Sequence, residues 1–131
     1  MGEHDRGGPA ACRGVRGATT LAGTDPGEVE EVVAELLEAI LAANDSRQED
    51  VAAAIFTVTD DLHGTNPAAA ARARGWESVP LLMVREHGGD ARVARCLRVL
   101  LLVNTGLAQA DVQHVYLRNA SGLRPDLAPL S

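Results

Sequence analysis

Apolar residues recur along this chain at two different spacings, and the two spacings separate its elements. Between residues 26 and 43, Val29, Val32, Val33, Leu36, Leu37, Ile40 and Leu41 stand three and four apart, which sets them on one stripe of a helix. Glu30, Glu31, Glu35 and Glu38 form most of its solvated face. Thr24 or Asp25 can cap the start, Pro26 fits the first turn, and Glu28 adds negative charge near the free N–H groups. Asn44 and Asp45 stop it. Elsewhere the apolar residues come in short runs bounded by Gly, Pro or polar residues, which predicts strands at 12–17, 51–59, 79–84, 95–104 and 112–119. Residues 67–74 predict a short Ala-rich helix closed by Gly75.

The predicted fold is therefore α+β: a mixed five-stranded sheet with one long and one short helix. Two helices cannot cover both faces of five strands. Several strands carry apolar side chains on both faces, so oligomerisation is expected to cover the remainder. Residues 1–11, polar and Gly-rich, are expected to be a disordered leader, with 12–131 a single domain.

One residue breaks the apolar pattern. Arg98 lies within Cys96-Leu-Arg-Val-Leu-Leu-Leu-Val103, a run that reads as a strand buried on both faces. A guanidinium does not lose its proton, so a buried one needs an anion or several acceptors. Either a protein carboxylate or a ligand can supply them. Period-two alternation puts Cys96, Arg98, Leu100 and Leu102 on one face. In the last strand it aligns His114, Tyr116 and Arg118. Gly17, beside Arg16, has no side chain to hinder a ligand. Glu86 follows the third strand and Arg124 lies in the tail.

Composition narrows the chemistry. The chain has no lysine, so every fixed positive charge is an arginine; Schiff-base chemistry is excluded. A net charge of −6 argues against a general nucleic-acid or membrane-surface partner. Cys12 and Cys96 make neither a disulfide framework nor a metal pattern, and His63 beside Asp60 and Asp61 matches no standard metal spacing. The absence of a signal-like N-terminus and of a long apolar run points to the cytoplasm. What remains is a set of arginines with one carboxylate and one phenol, and no nucleophile–base pair. Arg forks grip carboxylates, Glu accepts from a hydroxyl, and an arginine aimed at an ether or carbonyl oxygen stabilises charge developing there. That set suits a small dicarboxylate bearing a hydroxyl.

At these residues the chain resembles a known family. The matching stretches are Val15-Arg-Gly-Ala-Thr-Thr20, Thr57-Val-Thr-Asp-Asp-Leu-His63, Pro67-Ala68 with Arg72, Gly75-Trp76, Val79-Pro80, Glu86, Cys96-Leu-Arg-Val99, His114-Val-Tyr-Leu117 and Leu123-Arg-Pro-Asp-Leu127. In this order and spacing they are similar to the monofunctional chorismate mutases of the trimeric, pseudo-α/β-barrel class, over roughly residues 13–127. The resemblance implies a homotrimer with active sites between subunits. It implies a Claisen rearrangement of chorismate to prephenate in aromatic amino acid biosynthesis, without cofactor or metal. It implies Arg98 at the breaking ether oxygen, Arg16 and Tyr116 on the side-chain carboxylate, and Glu86 on the ring hydroxyl. Arg72 of a neighbouring subunit and Arg124 would line the cleft near the ring carboxylate, and Leu123 would pack on the substrate. Ala68 would also contribute to substrate binding.

The chain departs from the family pattern at four places. Asn66 stands where an aromatic is usual before Pro67-Ala68, Ala69 where a Lys is common, and Met83 where a Cys usually precedes the catalytic Glu. His87-Gly-Gly-Asp-Ala91 differs from the stretch that usually follows that Glu. Asn66 and Met83 are expected to touch the pocket, making one wall polar and another bulkier. Two other readings share these residues: an enzyme of the same fold acting on a chorismate analogue or another small carboxylate, and a catalytically weak metabolite-binding trimer.

Overall fold

Asp25 starts the long helix, α1 (Pro26–Ala43): its Oδ2 accepts from Gly27 N at 3.1 Å and Glu28 N at 3.3 Å, pairing two N–H groups that the helix itself leaves free. Glu28 reaches back to accept from Ala22 N at 2.7 Å and Gly23 N at 3.0 Å, fixing the turn that leads in. Asn44 closes the other end. Its amide donates to Ile40 O and Gln113 O, and its Oδ1 accepts from Gln113 N at 2.7 Å. This buried side chain ties the helix terminus to a segment 69 residues away.

The structure, a computed structural model, describes residues 9–87 and 93–122. Five strands, β1 (Ala11–Thr20), β2 (Val51–Val58), β3 (Leu81–Met83), β4 (Cys96–Thr105) and β5 (Val115–Tyr116), form one sheet in the order β3-β2-β4-β1-β5. The β1–β4 and β2–β4 pairs are antiparallel; β1–β5 and β2–β3 are parallel. The short helix is α2 (Pro67–Ala73). The five-stranded mixed sheet with one long and one short helix is the predicted architecture.

Element lengths differ from expectation where pairing overrides local pattern. β1 is ten residues rather than six, because it pairs with β4 from Ala11↔Thr105 to Thr20↔Cys96; Gly14 and Gly17 are carried inside the ladder. β5 is two residues rather than eight. After Tyr116 the chain turns into a 3₁₀ segment, Arg118–Gly122, with Arg118 at φ 54°. Arg118 therefore leaves the Tyr116 face and meets Glu35 of α1 at 3.1 Å.

Both helices pack on one face of the sheet. Val29, Val32, Val33, Leu36, Leu37 and Ile40 of α1 are buried, as the spacing predicts; burial of each such side chain is worth about 1.5–3 kcal/mol. They meet Val15 of β1, Phe56 of β2 and Leu97, Val99, Leu101 and Val103 of β4 in one apolar cluster. The expectation that β4 is buried on both faces is corrected. Its other face is open in the single chain: Leu100 is 38% and Leu82 55% exposed, and the Arg98 side chain is 48% exposed. The reason is the one-sided helix layer.

Gly17 is also reassigned. It faces α1, not a ligand: a Cβ there would run into Ile40 Cδ1 and lie 3.2 Å from Val99 Cγ1. Its missing side chain lets the helix approach the sheet. Thr19, two residues along the same face, is fully buried, and its Oγ1 has no hydrogen-bond partner among the described residues. Two opposite outcomes follow in denaturant unfolding. Gly17→Ala lowers stability by about 1–3 kcal/mol through overpacking. Thr19→Val raises it, by about 1 kcal/mol, by removing an unpaired buried hydroxyl.

Candidate active site

Strand register assembles the site on the open face. Thr57 of β2, Arg98 of β4, Ala18 of β1 and Tyr116 of β5 are successive Cα partners, and so form one row across four strands. Strands lie about 4.8 Å apart, so the row places Arg98 about 10 Å from Tyr116 at the backbone. Ala18 between them contributes only a methyl floor. The adjacent row runs Leu82, Ile55, Leu100, Arg16, an apolar line that ends in a second cation. Arg16 and Arg98 thus stand diagonally on neighbouring strands, on the same face as Tyr116.

Each member is held from behind. The Arg16 N–H donates to His114 Nδ1 at 2.9 Å, so the imidazole extends the pairing of β1 with β5. Tyr116 is buried in a small second cluster with Ala18, Cys96 and Ala120, on the open face. Glu86 lies beyond β3, and Val84 N donating to Phe56 O at 2.9 Å keeps its segment beside β2. Glu86 Oε1 accepts from Thr57 Oγ1 at 3.0 Å and stands 3.7 Å from Arg98 Nε. The latter distance is an ion pair but too long for a hydrogen bond. Among the described residues Glu86 is the carboxylate paired with Arg98, at this long distance, and the Arg98 side chain is half exposed. Burial pushes the Cys96 thiol above its ordinary range, with Arg98 opposing that shift, so the thiol is protonated at neutral pH.

A second network anchors the start of β4. Thr59 Oγ1 donates to Asp61 Oδ1 and accepts from Cys96 N at 3.0 Å, while Thr59 N donates to Cys96 O. Asp61 Oδ2 accepts from Arg95 N at 2.8 Å. Arg95 sits at φ 48°, with its Nε donating to Leu21 O. Thr59 and Asp61 thereby fix the residues just before Arg98. Neither they nor Thr57 stood out as site residues in the sequence. Their signal was there as Thr-x-Thr-x-Asp alternation beside a strand end, which has no distinct chemistry until the partner strand is known.

Other expected site residues lie elsewhere in the single chain. Asn66 is the N-cap of α2, its Oδ1 accepting from Ala69 N at 2.9 Å; its identity is explained by capping. Ala68 is buried in the main apolar cluster. Met83 pairs with Phe56 and packs against that cluster, so the chain's own Met83 is on the opposite face from Arg98. Within the single chain Met83 therefore does not share the face of Arg98 and Glu86. Arg72 is exposed near the end of α2. Leu123 and Arg124 lie outside the described residues, as do residues 1–8. A groove between the starts of the two helices, lined by Thr24, Pro26, Val29, Thr65, Asn66 and Ala69, shares no residue with the Arg98 row. Among the described residues no cluster of His, Cys, Asp and Glu is arranged to hold a metal ion, and no helix is long and apolar enough to cross a membrane.

Residues 12–127 match the family described as chorismate mutase type I. The chain belongs to that family. It is 47% identical over 116 residues to the chorismate mutase AroH of Thermus thermophilus, covering 88% of this chain and 95% of the relative. It is 38% identical over 117 residues to the chorismate mutase AroH of Bacillus subtilis (strain 168), covering 88% and 92%. Among solved structures, a chorismate mutase from Clostridium thermocellum superposes with a TM-score of 0.77 at 36% identity, over 82% of this chain and 96% of that one. The five-stranded mixed sheet with two helices is thus shared with a chorismate mutase of known structure.

The hydrogen bonds from Thr59 first, then from the Arg95 backbone, hold the Asp61 carboxyl below its ordinary value of 3.8. A lowered folded-state pKa contributes stability that is complete above the unfolded value and is lost as pH falls through the folded one. Asp61→Asn is therefore expected to be less stable than wild type at pH 7. The gap should narrow below about pH 4, as read by thermal unfolding across pH.

Proposed function

We propose that this chain catalyses the rearrangement of chorismate to prephenate, in the cytoplasm, as a homotrimer with its sites between subunits. One observation supports the assignment of the site: register sets Arg98, Arg16 and Tyr116 on one face, with Glu86 beside Arg98, in a chain of the chorismate mutase family. The rearrangement breaks an ether C–O bond and forms a C–C bond in one step. It needs no nucleophile, proton transfer or redox partner, and the site has no nucleophile–base pair to offer one.

The residues act through position and charge. Negative charge builds on the ether oxygen as the C–O bond stretches, and Arg98 stabilises it more in the transition state than in the ground state. Glu86 accepts from the ring hydroxyl. Arg16 and Tyr116 hold the side-chain carboxylate, keeping the substrate in the compact form that can react. Arg72 of a neighbouring subunit and Arg124 would face the ring carboxylate, with Leu123 packed on the ring. A trimer is supported by the exposed apolar residues Leu82, Val84 and Leu100, which a second chain can cover.

The purified protein is expected to consume chorismate with equimolar formation of prephenate. Absence of turnover, or a different product, contradicts the proposal. Arg98→Ala is expected to lower kcat at least about 10³-fold, with unfolding temperature and mass by light scattering unchanged. Near-normal kcat in that variant removes Arg98 from the mechanism.

A further inference from the structure

The geometry points to Thr57 as a positioning residue that keeps Glu86 off Arg98, so that both remain available to the substrate; this rests on the reading of the site given above. Glu86 lies outside the sheet ladder, three residues past the end of β3. Its side chain is tied to the sheet by the Thr57 hydroxyl at 3.0 Å, not by Arg98 at 3.7 Å. An ionised carboxylate only accepts, so the single hydroxyl hydrogen of Thr57 is committed to Oε1. Thr57 and Arg98 are direct cross-strand partners, so that hydroxyl rises beside the arginine stem. A β-branched residue in a strand has restricted χ1, which fixes where the hydroxyl points.

Two consequences follow. Oε1 accepts from Thr57, and Oε2 is the oxygen that accepts from the substrate. Glu86 is also held short of a close, hydrogen-bonded pair with Arg98. Such a pair would direct the guanidinium at a protein carboxylate instead of the ligand oxygen. Without the Thr57 donor, the carboxylate is free to close onto the nearest cation, and the positive field in the site falls.

The test compares Thr57→Val, which keeps the shape and loses the hydroxyl, with Thr57→Ser, which keeps the hydroxyl. Thr57→Val is expected to lower kcat about 10-fold or more, the scale of a hydrogen bond to a charged group, with a smaller change in KM. Thr57→Ser should stay within about threefold of wild type. In the Glu86→Ala background Thr57→Val should have no further effect on kcat, or on prephenate affinity measured by calorimetry. In a crystal structure of Thr57→Val, Arg98 Nε and a Glu86 carboxylate oxygen should close to below about 3.2 Å. Equal kcat in Thr57→Val and wild type, equal damage from Ser and Val, or an additive loss on Glu86→Ala would overturn the inference. A wild type that leaves chorismate untouched would instead sink the proposed reaction. The Thr57→Val crystal structure would still decide the tether, since an Arg98–Glu86 distance unchanged from wild type refutes it.

Discussion

A sheet covered on one face only is the constraint from which the rest of this structure follows. α1 and α2 supply one apolar layer, and it is spent on the face carrying Phe56, Leu97, Val99, Leu101 and Val103. The alternate residues of the same strands then point outward. In β4 those are Arg98 and Leu100; in β1, Arg16; in β2, Thr57 and Ile55. A cation in an otherwise aliphatic strand is tolerable because its face is not sealed within the chain. Gly17 is part of the same constraint, since a side chain there would hold α1 away from the sheet.

The open face is ordered although it is uncovered. Three neighbouring side chains along β2 and the turn after it, Thr57, Thr59 and Asp61, each hold a different part of the site. Thr57 holds the Glu86 carboxylate, Thr59 the Cys96 backbone, and Asp61 the Arg95 backbone. On the far side His114 holds the Arg16 backbone, while Asn44 anchors Gln113 next to it. Glu86 is thus placed by a hydroxyl donor, and the strand segments carrying Arg98 and Arg16 by side chains that accept from backbone N–H groups near them. Electrostatic catalysis depends on that kind of preorganisation, because dipoles and charges already in place need not reorganise during the reaction.

The face alternation of β4 and the apolar stripe of α1 could be read in the sequence because both are local periodicities, and the packing obeys them. Arg98 stood out locally as a cation in an aliphatic run, whereas Arg16, Tyr116 and Glu86 were singled out with it mainly through the family resemblance. Strand limits were less legible. β1 extends through two glycines because β4 pairs with it, and β5 ends early because Arg118 takes a left-handed turn; neither is encoded in a short window. Asn66 and Met83 were read as pocket residues on their positions in the family pattern. Their contacts, a helix cap and the apolar core, depend on tertiary context. Thr57, by contrast, was quoted only as part of a motif. Its partner, 29 residues away, is reached only through the β2–β3 crossover.

The central claim is that the half-exposed guanidinium of Arg98, only loosely paired with Glu86, is completed by a ligand oxygen. A crystal structure with prephenate bound tests it most directly. The account predicts the ligand against the Thr57–Arg98–Ala18–Tyr116 row, with an Arg98 nitrogen within about 3.2 Å of a ligand oxygen and Glu86 still on Thr57. Prephenate bound away from this row, with Arg98 paired closely to Glu86 instead, would contradict it.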